Sequence, residues 1–455
     1  MIDPIIFRAY DLRGIFPSQL NEETAYIIGQ SFGSFALNQD ISKVIVGHDN
    51  RLSSVALEEA LVKGLLSTGI NVTKLGLITT PMFYYARIKL NTWAGLMITA
   101  SHNPKEYNGF KISLTNIGNM AGGEIEEFRD FTLKNNFVHG SGELTAYDIR
   151  SDYLKLIKDS LQFGSKKIKA VIDCGNGICS TIVKEMLDNT PIEYDLLYCE
   201  SDGSFPNHHP DPSISANLVD LQKRVVELGY DLGIAVDADG DRVRIVDGSG
   251  NIINSDVLMI VFYRNLNNNL KKRLAIFDVK CSRTLIDELI KLDIEPLMWR
   301  TGNSYLYRKA NQENVDFAGE FSGHIFFRDR FPGIDDALYA GLRLAEILSK
   351  SDQAVADLYQ GINHYYSTDE MKIRVTEETK FLIIDQIKAY ATSKKYDYID
   401  IDGIRINFVD GWALIRASNT GPDITMRYEA NTEIRLNEIK KEFAEILDQV
   451  KINIK

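Results

Sequence analysis

Three stretches of the chain repeat one arrangement of apolar and polar positions. Lys43-Val44-Ile45-Val46-Gly47-His48-Asp49 precedes an amphipathic stretch at 53–66. Lys169-Ala170-Val171-Ile172-Asp173-Cys174-Gly175-Asn176-Gly177 precedes one at 182–187, and Arg273-Leu274-Ala275-Ile276-Phe277-Asp278-Val279-Lys280 precedes one at 282–292. Each is a basic residue, a short apolar run ending in Asp, a break and then a helical period. A short, fully apolar run suits a strand covered on both faces, and strand–helix units build parallel sheets with helices laid over them. Recurrence about every 100–125 residues predicts three related mixed α/β domains; the alternative at this level is chance likeness among strand–helix units.

Beyond about residue 368 the pattern changes. Short strand-like segments at 404–408, 412–416 and 425–429 lead into a helical period at 438–450 that sets Ile439, Phe443, Ile446, Leu447 and Val450 on one face. This predicts a smaller C-terminal α+β domain. The polar, Gly-bearing segment 138–142 closes the first unit, and 247–251 reads as a turn near the end of the second. The expected domains are 1–146, 147–250, 251–366 and 367–455.

Composition agrees with several domains: 455 residues, 44% hydrophobic and 25% charged, exceed the roughly 250–300 residues at which one core stops growing. The net charge of −12 argues against a general binder of nucleic acid or of acidic membranes, whose affinity rests on a basic surface. A small anion is still allowed, because a few arginines converging in a cleft reverse the sign locally. The four cysteines (Cys174, Cys179, Cys199, Cys281) lack zinc spacing and are too few for a disulfide scaffold, so they read as structural thiols in a reducing compartment. The first residues lack a basic-then-apolar leader, and no run approaches the ~18 apolar residues of a membrane span. A cytoplasmic location is expected, with neither membrane nor nucleic acid as partner.

Four motifs bear chemistry. Between strand-like flanks, Val236-Asp237-Ala238-Asp239-Gly240-Asp241-Arg242-Val243 sets three aspartates at alternating positions. Carboxylates this close raise one another's pKa unless a cation neutralises them, and an all-oxygen ligand set suits Mg²⁺ or Ca²⁺. A calcium EF-hand opens the same way, but its sixth position needs Gly and is Arg242, and its twelfth needs Glu and is Gly248. A strand–loop–strand metal site remains, against a solvated acidic turn. Arg242 beside it suggests that an anion completes the ligand set.

In Ile98-Thr99-Ala100-Ser101-His102-Asn103-Pro104 a serine ends an apolar run. It reads either as a nucleophile or as a turn serine bonding its own backbone, and no G-x-S-x-G elbow supports a hydrolase. Gly319-Glu320-Phe321-Ser322-Gly323-His324 offers close backbone approach, acceptors, a hydroxyl and a titratable ring, which suits sugar hydroxyls and proton transfer or else an ordinary polar loop. Arg416-Ala417-Ser418-Asn419-Thr420-Gly421-Pro422, with Arg427 nearby, offers what a dianionic phosphate wants, or a surface turn.

Together and in this order, the four motifs resemble the α-D-phosphohexomutase superfamily, and within it the bacterial phosphomannomutase/phosphoglucomutase group, over essentially the whole chain. The resemblance implies three mixed α/β domains and a smaller fourth around a central active-site cleft. It also implies an enzyme that interconverts hexose 6-phosphate and hexose 1-phosphate (mannose, glucose or both) through a phosphoserine and a hexose 1,6-bisphosphate, which also serves as primer. By this resemblance Ser101 is the phosphoserine, supported by His102 and Asn103. Asp237, Asp239, Asp241 and the Ser101 phosphate hold Mg²⁺, and Arg242 helps hold that phosphate. Glu320 and Ser322 contact the sugar, His324 or Lys111 moves a proton, and Arg416, Ser418, Asn419, Thr420 and Arg427 grip the distal phosphate. Tyr10 and Arg13, in Phe7-Arg8-Ala9-Tyr10-Asp11-Leu12-Arg13-Gly14, and Lys280 resemble further active-site positions. His208 and His209 lie in a segment that resembles a family one and read as structural rather than metal-ligating.

Two residues depart from the group's pattern. Asn303 stands where a histidine is usual, and Phe321 where Met or, in phosphoglucosamine mutases, Gln is common. Both bear on which sugar is preferred. The rival readings are a phosphoglucosamine mutase, a metal-dependent sugar phosphatase with Asp237 as nucleophile, and a non-catalytic sugar-phosphate sensor. The expected partner is a small phosphosugar, with the chain a monomer or weak dimer.

Overall fold

The computed structural model describes residues 2–418, 421 and 423–454. The three repeated segments open three sheets of one topology. In the first, strands Lys43–His48, Asn71–Leu77 and Gly95–Ile98 are parallel, with the earliest in the middle, and Tyr107–Thr115 joins antiparallel beside Gly95–Ile98. The second repeats this with Lys169–Asp173, Glu193–Leu197 and Leu232–Val236 parallel and Val243–Asp247 antiparallel. The third does so with Leu274–Asp278, Glu295–Trp299 and Phe317–Gly319, closed by antiparallel Ile325–Phe327. Helices carry the parallel crossovers, as that geometry requires.

The shared topology places like loops alike. The turn between the third and fourth strand of each unit holds Ser101 in the first, Asp237–Asp241 in the second and Glu320–His324 in the third. The Asp that ends each apolar run is buried in all three: Asp49, Asp173 and Asp278.

The C-terminal part is different, as its pattern predicts. Five strands run in the order Tyr366–Ser367, Asp423–Ala430, Gly411–Ala417, Ile404–Phe408 and Asp397–Ile399, all antiparallel, with Met371–Arg374 also on Asp423–Ala430. Helices Glu377–Ser393 and Glu433–Ile454 cover one face through Ile383, Ile387, Ile439, Phe443 and Ile446.

Three features were not anticipated from pattern. The polar 138–142 segment leads into a strand, Leu144–Ala146, that extends the first sheet beside Asn71–Leu77; its side chains are exposed, so no apolar alternation marks it. Helix Glu377–Ser393 buries little beyond Ile383, Ile387 and Ala391 and carries exposed Phe381 and Leu382, which blurs its period. The C-terminal helix runs well beyond 438–450 at both ends.

One apolar cluster runs without a break through the first three units, joining residues such as Ile45, Ile172 and Phe277. Helix Ala337–Ser349, buried along its whole length, lies within it. Among the described residues no helix is long and apolar enough to cross a membrane.

Candidate active site

Ser101 follows strand Gly95–Ile98 with φ 49°, the left-handed region that non-glycine residues rarely enter without being forced. Two buried arginines over-determine the turn. Arg51 donates to the carbonyls of Ser101 and Asn103, both at 2.6 Å, and to those of Pro104 and Tyr107 at 2.8 and 3.0 Å. Arg13 donates to the Ala100 carbonyl and, at 2.6 Å, to Asn103 Oδ1, and is itself held by Asp11 at 2.9 Å. The serine loop is thus fixed through its backbone while its hydroxyl stays available. Sequence reasoning missed Arg51; the signal was its place two residues past Asp49, whose carboxylate lies 3.3 Å from Arg51 Nε.

The serine hydroxyl meets the aspartate loop. Ser101 Oγ donates to Asp237 Oδ2 at 3.0 Å across 136 residues of chain. Asp237 Oδ1 accepts the backbone N–H groups of Gly240, Asp241 and Arg242 at 3.0–3.1 Å, which shapes the loop. Asp237, Asp239 and Asp241 are buried, and one oxygen from each lies within 4.8 Å of the others. Burial first, then Asp241 and Asp239, push the Asp237 carboxyl well above the usual carboxylate range. Asp239 Oδ2 accepts from Thr80, Thr99 and Lys111 at 2.7, 3.2 and 2.8 Å, while its Oδ1 is buried without a hydrogen-bond partner. Three converging carboxylates, a buried oxygen with no donor and a serine on the rim form a donor set that fits a hard divalent cation.

Lys111, expected as a possible base, lies against the aspartate loop. Its ammonium bonds Asp239 and Asp241 together. Burial works against its charge, but these two aspartates override it and hold it protonated well above the ordinary lysine value.

The cleft, of about 930 Å³, takes residues from all four parts of the chain. Tyr10, Arg13, Ser101, His102 and Lys111 come from the first and Arg242 from the second. Lys280, Glu320, Ser322 and His324 come from the third, and Arg416 and Ser418 from the fourth. The Arg242 guanidinium lies between His102 Nε2 (3.4 Å) and His324 Nε2 (3.3 Å), near Ser101. His102 Nδ1 is 3.2 Å from Ser101 Oγ, and burial, then Arg242 and Arg13, push the ring well below its ordinary value, so it is neutral. Burial raises the Tyr10 phenol to about 12.

His324 bridges two acids, with Nδ1 2.8 Å from Glu320 Oε2 and Nε2 3.2 Å from Asp241 Oδ1. Burial opposes its charge, yet Asp241 and then Glu320 raise it to about 9. Glu320 also accepts the Gly302 N–H at 2.6 Å, and Ser322 Oγ sits 3.3 Å from its other oxygen. Behind His324, Asp335 lies 3.9 Å away and accepts from Asn303 Nδ2 at 3.2 Å. Asn303, the departure from the histidine pattern, thus ties a buried carboxyl that burial and Asp241 raise to about 7.

On the far side, Arg416 pairs with Asp402 (2.9 Å) and Lys280 with Glu370 (2.7 Å), both facing the cleft. Ser418 lines it too, whereas Asn419 and Thr420 lie outside the described residues. Arg427, expected in the phosphate grip, lies two residues past the cleft-lining Thr425. It is buried behind the cleft wall, donates to the carbonyls of Lys280 and Thr368, and stacks 3.8 Å from the centre of the Phe321 ring. The strand that carries it turns that side chain towards the third unit, where it braces the sugar loop through Phe321. His208 bonds Asp173 at 3.1 Å and the His209 carbonyl at 2.9 Å, in keeping with a structural reading.

Comparison with known proteins agrees along the chain. Residues 4–138, 151–250 and 254–365 match alpha/beta/alpha domains I, II and III of phosphoglucomutase/phosphomannomutase, and 370–446 match its C-terminal domain. The chain is 41% identical to the phosphomannomutase/phosphoglucomutase of Pseudomonas syringae pv. tomato, over 98% of this chain and 95% of that one. It is 37% identical to a phosphoglucomutase of Neisseria meningitidis serogroup A, over 97% and 96%. Its fold matches a crystal structure of a phosphoglucomutase/phosphomannomutase family protein from Burkholderia thailandensis with a TM-score of 0.90 at 34% identity, covering 99% and 98% of the two chains. With four consecutive domains matched at nearly full length, this chain belongs to the phosphoglucomutase/phosphomannomutase family.

Proposed function

We propose that this chain is a phosphohexomutase, interconverting hexose 6-phosphate and hexose 1-phosphate of mannose, glucose or both through a phosphoserine at Ser101 and a hexose 1,6-bisphosphate. The observation that carries the reading is the contact of Ser101 Oγ with Asp237 inside the buried carboxylate cluster. In one half-reaction the bond from phosphorus to Ser101 Oγ breaks as a bond to a sugar oxygen forms; the other half-reaction reverses this at the second position. Such transfers are governed by placement and charge.

Asp237, Asp239, Asp241 and the Ser101 phosphate would hold Mg²⁺, which supplies charge neutralisation at the transferring group. Lys111 offsets the carboxylates, and Arg242 binds the phosphoryl oxygens. Arg51 and Arg13 hold the serine loop in place. His324, which bridges Glu320 and Asp241, or Lys111 moves the proton of the reacting sugar hydroxyl, and Glu320 and Ser322 orient the ring. Arg416, Lys280, Ser418 and the loop that contains Asn419 and Thr420 grip the phosphate that is not reacting. We take the domains to divide at 1–146, 147–250, 251–366 and 367–455. Four free thiols fit a reducing, cytoplasmic setting.

Ser101→Ala is expected to abolish interconversion and the acid-stable phosphorylation of the protein, with wild-type turnover stimulated by hexose 1,6-bisphosphate. Interconversion by the variant would overturn the assignment of Ser101, and release of inorganic phosphate without need of a bisphosphate would overturn the reading in favour of a phosphatase.

A further inference from the structure

Two thiols that the cleft does not use lie against each other in the second unit. Cys174 follows strand Lys169–Asp173, and Cys199 lies two residues past strand Glu193–Leu197. These strands are parallel neighbours with Asp173 opposite Leu197, and the Cys174 N–H continues the pairing by donating to the Leu197 carbonyl at 3.2 Å. The two chains therefore leave the sheet side by side, and the sulfurs meet at 2.9 Å. A sulfur–sulfur bond is about 2.05 Å, so bonding needs a closure of less than about 1 Å. Cys174 is buried and Cys199 half-buried. The other two thiols are buried; Cys179 lies in the same unit five residues past Cys174, and Cys281, in the third unit, donates to Asp278 Oδ1 at 3.2 Å.

We propose that Cys174 and Cys199 form a reversible dithiol–disulfide modification site, whose oxidant is hydrogen peroxide. Cys199 is the sulfur a solvent reagent reaches, and Cys174 is the resolving partner. The Cys199 sulfur attacks one peroxide oxygen. The O–O bond breaks, Cys199 becomes a sulfenic acid, and the departing hydroxide leaves as water with the thiol proton. The Cys174 sulfur then attacks the Cys199 sulfur; the S–S bond forms, the S–O bond breaks, and a second water takes the Cys174 proton. Two thiols lose two electrons and the peroxide gains them; a thiol reductant reverses the change.

Burial and the neighbouring Cys199 hold the Cys174 thiol well above its ordinary value, so it stays protonated until the bond forms. The bridge would close a span of 25 residues. Its first cysteine opens the turn whose Ile178 N–H donates to the Ala238 carbonyl, at 2.9 Å, between two of the cleft's aspartates. The sulfurs themselves stand outside the cleft, so the proposal does not depend on the function assigned above.

The test treats the full chain with hydrogen peroxide, alkylates the remaining thiols under denaturing conditions and maps the digest by mass spectrometry. Two of the four thiols should disappear into one peptide pair joined through Cys174 and Cys199, two hydrogens lighter than the separate peptides, and dithiothreitol should restore all four. Cys199→Ser should retain turnover and keep its three remaining thiols under the same treatment. Persistence of all four thiols, a sulfinic acid at Cys199 without the bridge, or linkage of a different pair would overturn the proposal; the wild-type digest decides even if the variant fails to fold.

Discussion

The first three domains and the fourth meet the cleft in opposite ways. The three share one apolar core, and the groups at the transfer end are each tied by several buried partners: Ser101 through Arg51 and Arg13, Asp239 through Thr80, Thr99 and Lys111. The fourth has a core of its own and, among the described residues, meets the third in a small apolar cluster of Trp412, Leu414 and Ile401 with Val279 and Met298. The rest of its seam is polar, with Arg405 donating to the carbonyls of Val279 and Cys281 at 2.6 and 2.8 Å, and Glu429 accepting the Arg283 N–H at 2.9 Å. Breaking a shared core exposes apolar area at about 25 cal/mol per Å², whereas a net hydrogen bond exchanged with water changes stability by only about 1 kcal/mol. On the function proposed above, the end that transfers the phosphoryl group is the more tightly held, and the end that would grip the far phosphate is joined mainly by polar contacts.

That contrast can be broken in steps. The largest effect is expected from Asp239→Asn, which removes charge from the tightly held end: turnover in a coupled assay should fall by about 10²–10³-fold at every Mg²⁺ concentration. A drop below tenfold would take Asp239 out of the site. Arg51→Lys should come next. A lysine cannot span four carbonyls, so the serine loop relaxes and kcat should fall by about 10²-fold with little change in KM, the signature of lost positioning. Arg416→Lys, at the far-phosphate end, should do the reverse. It should raise KM about tenfold and leave kcat near its starting value, because the grip on the idle phosphate is felt equally before and during transfer. Steady-state kinetics with the same sugar phosphate separates these two cases.

The transfer end was largely legible in the sequence because its signals are local. Three aspartates within five residues, or a serine closing an apolar run, are visible before folding, and family resemblance then joined them. Arg51 was not, because its meaning comes from four carbonyls 50–56 residues away that a string of residues does not display. Thr80 is similar: it reaches Asp239 only once the first two sheets are packed together. Arg427 shows how far position along a strand matters. It shares a sheet face with the cleft-lining Arg416 and Thr425, but it lies two residues further along its strand, where that face meets Phe321. Leu144–Ala146 escaped notice because an exposed edge strand needs no apolar code.

The recurrence of one connection, between the third and fourth strand of each sheet, has a consequence for re-engineering. Nucleophile, cation ligands and hexose contacts each occupy a separate cassette on a separate copy of the same scaffold. A laboratory seeking a different hexose can vary Phe321 and Ser322 while keeping Glu320 and His324, which tie this loop to Gly302 and to Asp241, and Gly323, whose backbone packs on Val243.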